Sequence, residues 1–248
     1  MLVDSHIHVG QYHQHYFSPS EVHSLMENLN VDYYAVSSTT ICEENYQKVL
    51  SELNELISLD GDMILPVLWI TPESLKGYIA WFLESGIKWR MLKVHPYLHQ
   101  SDWDPEGNQF ADVLEIAIEL KIPILIHTGE DLCCSCDKYI NLVETYPEVN
   151  FVFAHGLPIL NALKLISLYN NAFVDTAFME IKDIKTFIDA GLSHKILWGT
   201  DMFIPLHFYP KINAEKYYKQ RLVGLSRICT QEQYEYVTFK NAKKIFSL

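Results

Sequence analysis

The chain has 248 residues, a formal charge of −12, and 49% hydrophobic against 20% charged side chains. That is apolar material for a large core, in one barrel-sized domain or two smaller ones. The acidic balance argues against nucleic acid as a partner, because that affinity rests on clustered Lys and Arg; it leaves room for a small anionic substrate. No apolar run reaches the roughly 20 residues that span a bilayer, so no membrane partner is expected.

The first stretch, "LVDSHIHVG", places Asp4, His6 and His8 at alternate positions. In a strand these three share one face, and Val3, Ile7 and Val9 take the other. Because this strand starts at once, no signal-peptide pattern is expected before it. The five cysteines, odd in number, read as reduced thiols of a cytoplasmic protein.

A helix follows in "SPSEVHSLMENL", with Ser18 as N-cap, Pro19 at the first position and Glu21 completing a capping box. Its Val22, Leu25, Met26 and Leu29 make one apolar stripe. The strand "DYYAVSST" from Asp32 comes next, then a helix striped by Val49, Leu50, Leu53, Leu56 and Ile57. "MILPVLWI" from Met63 is followed by a helix starting at Thr71-Pro72, and "RMLKVHP" from Arg90 by one from Phe110. "IPILIHTG" from Ile122 and "NFVFAHG" from Asn150 precede helices from Asp137 and Pro158. "AFVDTA" from Ala172 and "KILWGTD" from Lys195 complete eight strands, and a Thr230/Gln233 capping box opens a last helix. Several runs are apolar throughout, as parallel strands covered on both faces are.

No linker divides the chain, so the expectation is a single-domain (β/α)8 TIM barrel with room for distortion. A doubly wound sheet lacks the glycine-rich loop it needs after the first strand. In such a barrel chemistry sits at the C-terminal strand ends. His6, His8, Lys93, His95, His127, His155 and Asp201 all fall there. Neutral imidazoles with one carboxylate suit one borderline divalent ion, Zn²⁺ first, with Mn²⁺ or Fe²⁺ as alternatives. A solvent molecule on such an ion is acidified to a pKa of about 7. Asp201 is then placed to take its proton, and His155 to polarise a carbonyl or meet the developing oxyanion.

"DSHIH", "KVHP", "ILIHTG", "FAHG", "WGTD" and the closing "NAKKIF" together resemble the amidohydrolase superfamily. The resemblance is greatest to the amidohydrolase-related branch that includes aminocarboxymuconate semialdehyde decarboxylase. It implies His6, His8, His127 and Asp201 as metal ligands, and His155 as a catalytic acid/base or substrate contact. Asp4 would orient an imidazole from behind. In two-metal relatives a strand-4 lysine is carboxylated and bridges the ions. In "KVHP" the one-metal reading is preferred, with Lys93 and His95 binding an anionic part of the substrate. TatD-type nucleases carry a strand-4 glutamate that this chain lacks. Polymerase-and-histidinol-phosphatase domains end in an Asp-X-His pair where this chain has Asp201-Met202-Phe203.

The expected activity is therefore hydrolysis of a C–N or C–O bond (amide, lactone or ester) in a small molecule. Non-oxidative decarboxylation of an unsaturated or aromatic carboxylate, and a silent metal-binding barrel, are the alternatives. Cys133, Cys134 and Cys136 in "EDLCCSC" read as free loop thiols rather than a second zinc site. "YHQHY" and "DMFIPLHFYP" read as loops walling the mouth, and a homo-oligomer is left open.

Overall fold

A computed structural model of the chain describes residues 1–99, 103–209 and 211–248. The strands are β1 (Val3–Tyr12), β2 (His15–Phe17), β3 (Tyr33–Ser38), β4 (Ile64–Trp69) and β5 (Met91–Val94), then β6 (Ile124–His127), β7 (Phe151–Ala154), β8 (Ala172–Asp175) and β9 (Ile196–Leu197). They form one sheet in the order β2-β1-β3-β4-β5-β6-β7-β8-β9. Only β2 is antiparallel, pairing with β1 across a hairpin; every other neighbouring pair is parallel. The eight runs read from the sequence are the eight parallel strands.

The ring closes between the first strand and the segment after the last. Ser5 N donates to Trp198 O at 2.8 Å, Asp201 N donates to His6 O at 2.8 Å, and His8 N donates to Met202 O. Ile7 and Met202 form a parallel bridge. β9 itself has two residues, so this seam is irregular, and the barrel is distorted there.

Alternation along the strands layers the interior. Val3, Ala35, Leu65, Val67, Met91, Leu125, Val152, Phe173 and Leu197 pack as one apolar cluster, joined from below by Ala242, Ile245 and Phe246. Those last three lie on the closing helix Asn241–Phe246, which plugs the N-terminal end. Two residues further along four of the strands the same face turns polar: Ser37 above Ala35, Lys93 above Met91, His127 above Leu125, and Asp175 above Phe173.

β1 departs from this simple alternation. Asp4 pairs with Tyr34 but Ile7 pairs with Val36, so β1 carries one extra residue between them. This bulge lets Val3 join the interior cluster while His6 and His8 also face inward. Asp4 therefore does not share the face of the two histidines, contrary to strict alternation. It holds Thr200 instead.

Around the ring, helices Pro19–Asn28, Tyr46–Asp60, Asn108–Leu120 and Ile159–Leu168 bury their apolar stripes against the strands. The capping boxes at Ser18, Thr71 and Thr230 form as their sequences indicate. Two helices that the sequence reading did not single out, Ile181–Asp189 and Ala214–Ile228, pack on each other outside β8 and β9. "YHQHY" is the tip of the β1–β2 hairpin rather than a free loop. "DMFIPLHFYP" contains the short helix Ile204–Phe208, and its final Pro210 lies outside the described residues.

Phe173 is 2% exposed at the centre of the lower layer. Phe173→Ala should destabilise the protein by about 3–5 kcal/mol, as truncation of a packed aromatic does. Urea unfolding followed by circular dichroism measures it; a loss under about 1 kcal/mol would show that the layer is not the core.

Candidate metal centre and active site

The polar layer brings residues together from β1, β3, β5, β8 and the segment after β9. His6 Nε2, His8 Nε2 and Asp201 Oδ1 meet: the carboxylate oxygen lies 3.2 Å from the first and 2.8 Å from the second. These three buried residues are the one group among the described residues whose donor atoms fit a metal ion, all within 4.8 Å of one another.

The tautomers follow from what stands behind each ring. His6 Nδ1 is 2.8 Å from Asp175 Oδ2, and His8 Nδ1 is 3.3 Å from Ser37 O. The Asp175 carboxylate only accepts, so His6 Nδ1 carries the hydrogen. His8 Nδ1 also meets the Ser37 hydroxyl at 3.0 Å, and Lys93 Nζ donates to both Nε2 atoms, which leaves each of these a lone pair facing inward. Asp201 Oδ1 correspondingly makes no hydrogen bond although it touches both rings. Lone pairs converging on one point are the donor set of a cation site, and the residues present fit a divalent ion.

Asp175 is the residue that sequence reasoning missed. It is fully buried, and besides His6 it accepts from His155 N at 2.9 Å and Ala177 N at 3.0 Å. Burial works to raise its pKa, but His6 and the hydrogen bonds prevail and hold it below the ordinary carboxylate value. Its signal was present in "AFVDTA": an Asp at a C-terminal strand end, like the others. Gly199 of "WGTD" passes close beside this pair. A Cβ there would lie 3.1 Å from His6 Cβ and 3.2 Å from Asp175 Cβ, so the approach favours glycine.

Asp201 and His155 both adopt left-handed backbone conformations, with φ of 56° and 69°. Such conformations in non-glycine residues persist where the surroundings fix them. Asp4 does this for the Asp201 turn, accepting from Thr200 N at 3.1 Å and Thr200 Oγ1 at 2.7 Å. It thus orients the loop carrying the carboxylate, not an imidazole ring.

His127 lies outside the trio. Its Nδ1 is 3.1 Å from His155 Nε2, and His155 Nδ1 is 3.1 Å from Ala177 O. The carbonyl fixes a hydrogen on His155 Nδ1, so His155 Nε2 accepts from His127 Nδ1 and His127 Nε2 keeps a lone pair. This is the tautomer already assigned to His6 and His8. His95 stacks on His127, with ring centroids 3.7 Å apart.

Lys93 is buried, and Nζ donates to His6 Nε2 at 2.9 Å and His8 Nε2 at 3.0 Å. Burial lowers it to about 8 against the pull of Asp201 and Asp175. Burial and Lys93 together push His8 down to about 3. His95 and His127 are driven well below their ordinary value, and His155 below it, each first by burial. For Asp201 burial acts upward, but His6 and His8 hold the carboxylate well below its usual range. The arrangement is two ionised carboxylates, Asp175 and Asp201, and one ammonium, beside the imidazoles of His8, His95, His127 and His155 that burial keeps neutral.

Cys133, Cys134 and Cys136 are free thiols. Cys134 packs against the turn after His127, its carbonyl accepting from Gly129 N at 3.1 Å. His13, His15 and His207 gather at the mouth, with His207 ring centroids 4.9 Å from His13 and 5.3 Å from His15. Among the described residues no helix is long and apolar enough to cross a membrane.

No curated protein matches the chain by sequence. Among solved structures it is similar to a probable 2-pyrone-4,6-dicarboxylic acid hydrolase from Acinetobacter baumannii with citric acid bound. That match has 14% identity, covers 100% of this chain and 99% of the other, and has a TM-score of 0.73. It is also similar to 4-oxalomesaconate hydratase from Rhodopseudomonas palustris, at 15% identity, 100% and 96% coverage and a TM-score of 0.72. A third similar structure is 5-carboxyvanillate decarboxylase from Novosphingobium aromaticivorans, complexed with manganese and 4-hydroxy-3-methoxy-5-nitrobenzoic acid. There the identity is 11%, the coverage 100% and 96%, and the TM-score 0.69. These likenesses establish the shared TIM-barrel fold. The family model described as Amidohydrolase (Amidohydro_2) matches residues 3–248, nearly the whole chain, and the chain belongs to that family.

Proposed function

We propose that this protein is a metal-dependent hydrolase that adds water across a C–N or C–O bond (amide, lactone or ester) of a small molecule. The observation that carries the reading is the inward convergence of His6 Nε2, His8 Nε2 and Asp201 Oδ1, with both Nδ1 atoms tied behind them. His6, His8 and Asp201 hold one divalent ion, and His127 supplies a further donor, consistent with its unprotonated Nε2. Imidazole and carboxylate ligands suit Zn²⁺ first, with Mn²⁺ or Fe²⁺ as alternatives. When bound, such an ion supplies Lewis acidity towards water and the substrate oxygen.

The chain's own groups do the rest. Asp201, ionised at neutral pH, accepts the proton of the attacking water and returns it to the leaving group. His155 accepts at Nε2 in its resting tautomer. Once protonated it becomes a donor for negative charge building on the carbonyl oxygen. Lys93 and His95 hold an anionic or polar part of the substrate, and the barrel's apolar lower layer keeps water out from beneath. The protein works on a small molecule at the C-terminal mouth.

A screen of esters, lactones, amides and aromatic carboxylates in ¹⁸O-water tests the reaction type. One ¹⁸O per turnover in the product is expected. Carbon dioxide release without label incorporation would replace hydrolysis by decarboxylation. Asp201→Asn should lower turnover by about 10²–10⁴-fold, the range for a proton-transfer group, with the thermal unfolding midpoint little changed. A variant of undiminished rate would overturn the assignment.

Metal analysis of purified protein should give about one equivalent per chain, since one donor set is present; a reproducible two would overturn the single-ion reading. In Asp175→Asn the amide oxygen still accepts from His155 N and Ala177 N, but His6 Nδ1 faces an NH₂. Metal affinity should then fall by about 10–100-fold, as loss of an imidazole's supporting carboxylate does. Competition with a chromogenic chelator reads it, and unchanged affinity would show that Asp175 does not set the tautomer of His6.

A further inference from the structure

Three histidines at the mouth have no part in the chemistry at His6, His8 and Asp201. His13 is at the tip of the β1–β2 hairpin, His15 begins β2, and His207 lies on the helix Ile204–Phe208 that follows Asp201. The His207 ring is the centre of the group. It stacks on His13 at 4.9 Å between centroids with planes 25° apart, and meets His15 at 5.3 Å and Tyr12 at 5.1 Å edge-on. Stacked rings send their in-plane lone pairs out side by side, not to one point. Among the described residues His6, His8 and Asp201 remain the one set of three donors that fits an ion. The three histidines are therefore no second metal centre.

What they join is an edge. Among the described strands β2 pairs with β1 alone, through Gly10–Phe17, Gln11–Tyr16 and Tyr12–His15. A hairpin this short is marginal by itself, so the contacts at its tip decide how firmly it is held. At its base Phe17 stacks on Phe203 at 5.0 Å, an apolar contact indifferent to pH. At its tip the contacts to the helix are imidazoles.

The surroundings of His207 suit a neutral ring and not a charged one. Its Nδ1 is buried and has no hydrogen-bond partner among the described residues. The neutral ring keeps its hydrogen on Nε2, and protonation adds one at Nδ1, where nothing accepts it. No carboxylate faces the ring. The hairpin presents Tyr12, His13 and His15, and its own helix presents Phe208 at 5.2 Å. The Tyr12 phenol, raised by burial and then by Asp201 and Cys42, stays neutral. Burial, His13 and His15 each lower the pKa of His207 from the ordinary 6.5. The packed hairpin thus holds fewer protons than an open one, so its hold is full above 6.5 and is lost as the pH falls below that value.

We infer that His13, His15 and His207 form a proton-sensitive latch, which holds the tip of the β1–β2 hairpin to the helix Ile204–Phe208 while the rings are neutral and releases it when they take up protons. The hairpin continues the strand that carries His6 and His8, and the helix follows Asp201. Release therefore loosens the rim on both sides of the barrel seam, with the Phe17–Phe203 stack keeping the base of the hairpin in place. The latch is independent of which bond the protein cleaves.

Hydrogen exchange of the backbone amides of residues 11–17, read by NMR on the purified protein and corrected for the intrinsic effect of pH, tests the latch without turnover. Between about pH 7.5 and about pH 5.5 protection of the hairpin should fall about tenfold, as like charges at this spacing and one unmet N–H imply, while protection of β7 stays level. His207→Phe keeps a flat ring that cannot take a proton, and its hairpin protection should change by less than about twofold over the same range. His13→Phe, a change at an exposed tip residue, removes one of the two charges facing His207 and should reduce the fall to about threefold. It keeps the test decisive if His207→Phe does not fold. Level hairpin protection in the unmodified protein would overturn the latch. So would an undiminished fall in either variant, because protonation elsewhere would then account for it.

Discussion

The carboxylate of Asp175 joins three strands at the level where the chemistry sits. It belongs to β8, fixes the tautomer of His6 on β1, and takes the backbone N–H of His155 just beyond β7. Burying a carboxylate is costly unless donors surround it; here three do. The same contacts that stabilise the charge also orient the His6 ring and the turn bearing His155. The left-handed turn at His155, the tight passage at Gly199 and the inward lone pair of His6 are all arranged around this one group.

Much of this was legible in the sequence, for definite reasons. Parallel strands covered on both faces are apolar runs, so all eight stood out. Ser18, Thr71 and Thr230 announced their helices because a capping hydroxyl has one geometric use there. The strand-end positions of His6, His8, Lys93 and Asp201 converge because a barrel aims all its strand ends at one mouth. What was hidden depends on pairing rather than on composition. The β1 bulge has no Gly or Pro to mark it and exists only as a mismatch with β3, so strict alternation grouped Asp4 wrongly with the two histidines. The short β2 carries its polar residues in a hairpin tip, without an apolar run to betray it. Asp175, by contrast, stood in plain view at a strand end like the other site residues, inside a run that reads first as a strand.

The electrostatics explain how an acidic chain can offer an anion a foothold. The net charge of −12 resides on the whole surface, whereas the pit above the apolar layer is governed by burial. Burial keeps the imidazoles of His95, His127 and His155 neutral, so they serve as lone-pair donors or hydrogen-bond partners without repelling a cation. Asp201 stays ionised because His6 and His8 adjoin it. Local desolvation thus sets the character of the site, and the overall charge has little part in it.

The seam that closes the barrel has a consequence for how the protein comes into being. Ser5 and Trp198, separated by 193 positions, share a hydrogen bond there, and Thr200 reaches Asp4 across 196. His6 and His8 on one side of the seam and Asp201 on the other are neighbours in space but come from distant parts of the chain. A nascent chain emerging from the ribosome therefore holds His6 and His8 from the start but has no carboxylate to complete them until the last fifth of the barrel is synthesised. Contacts of such long sequence separation also form late during folding, because the loop they close must first be ordered. Gathering of His6, His8 and Asp201 and closure of the barrel are thus one event.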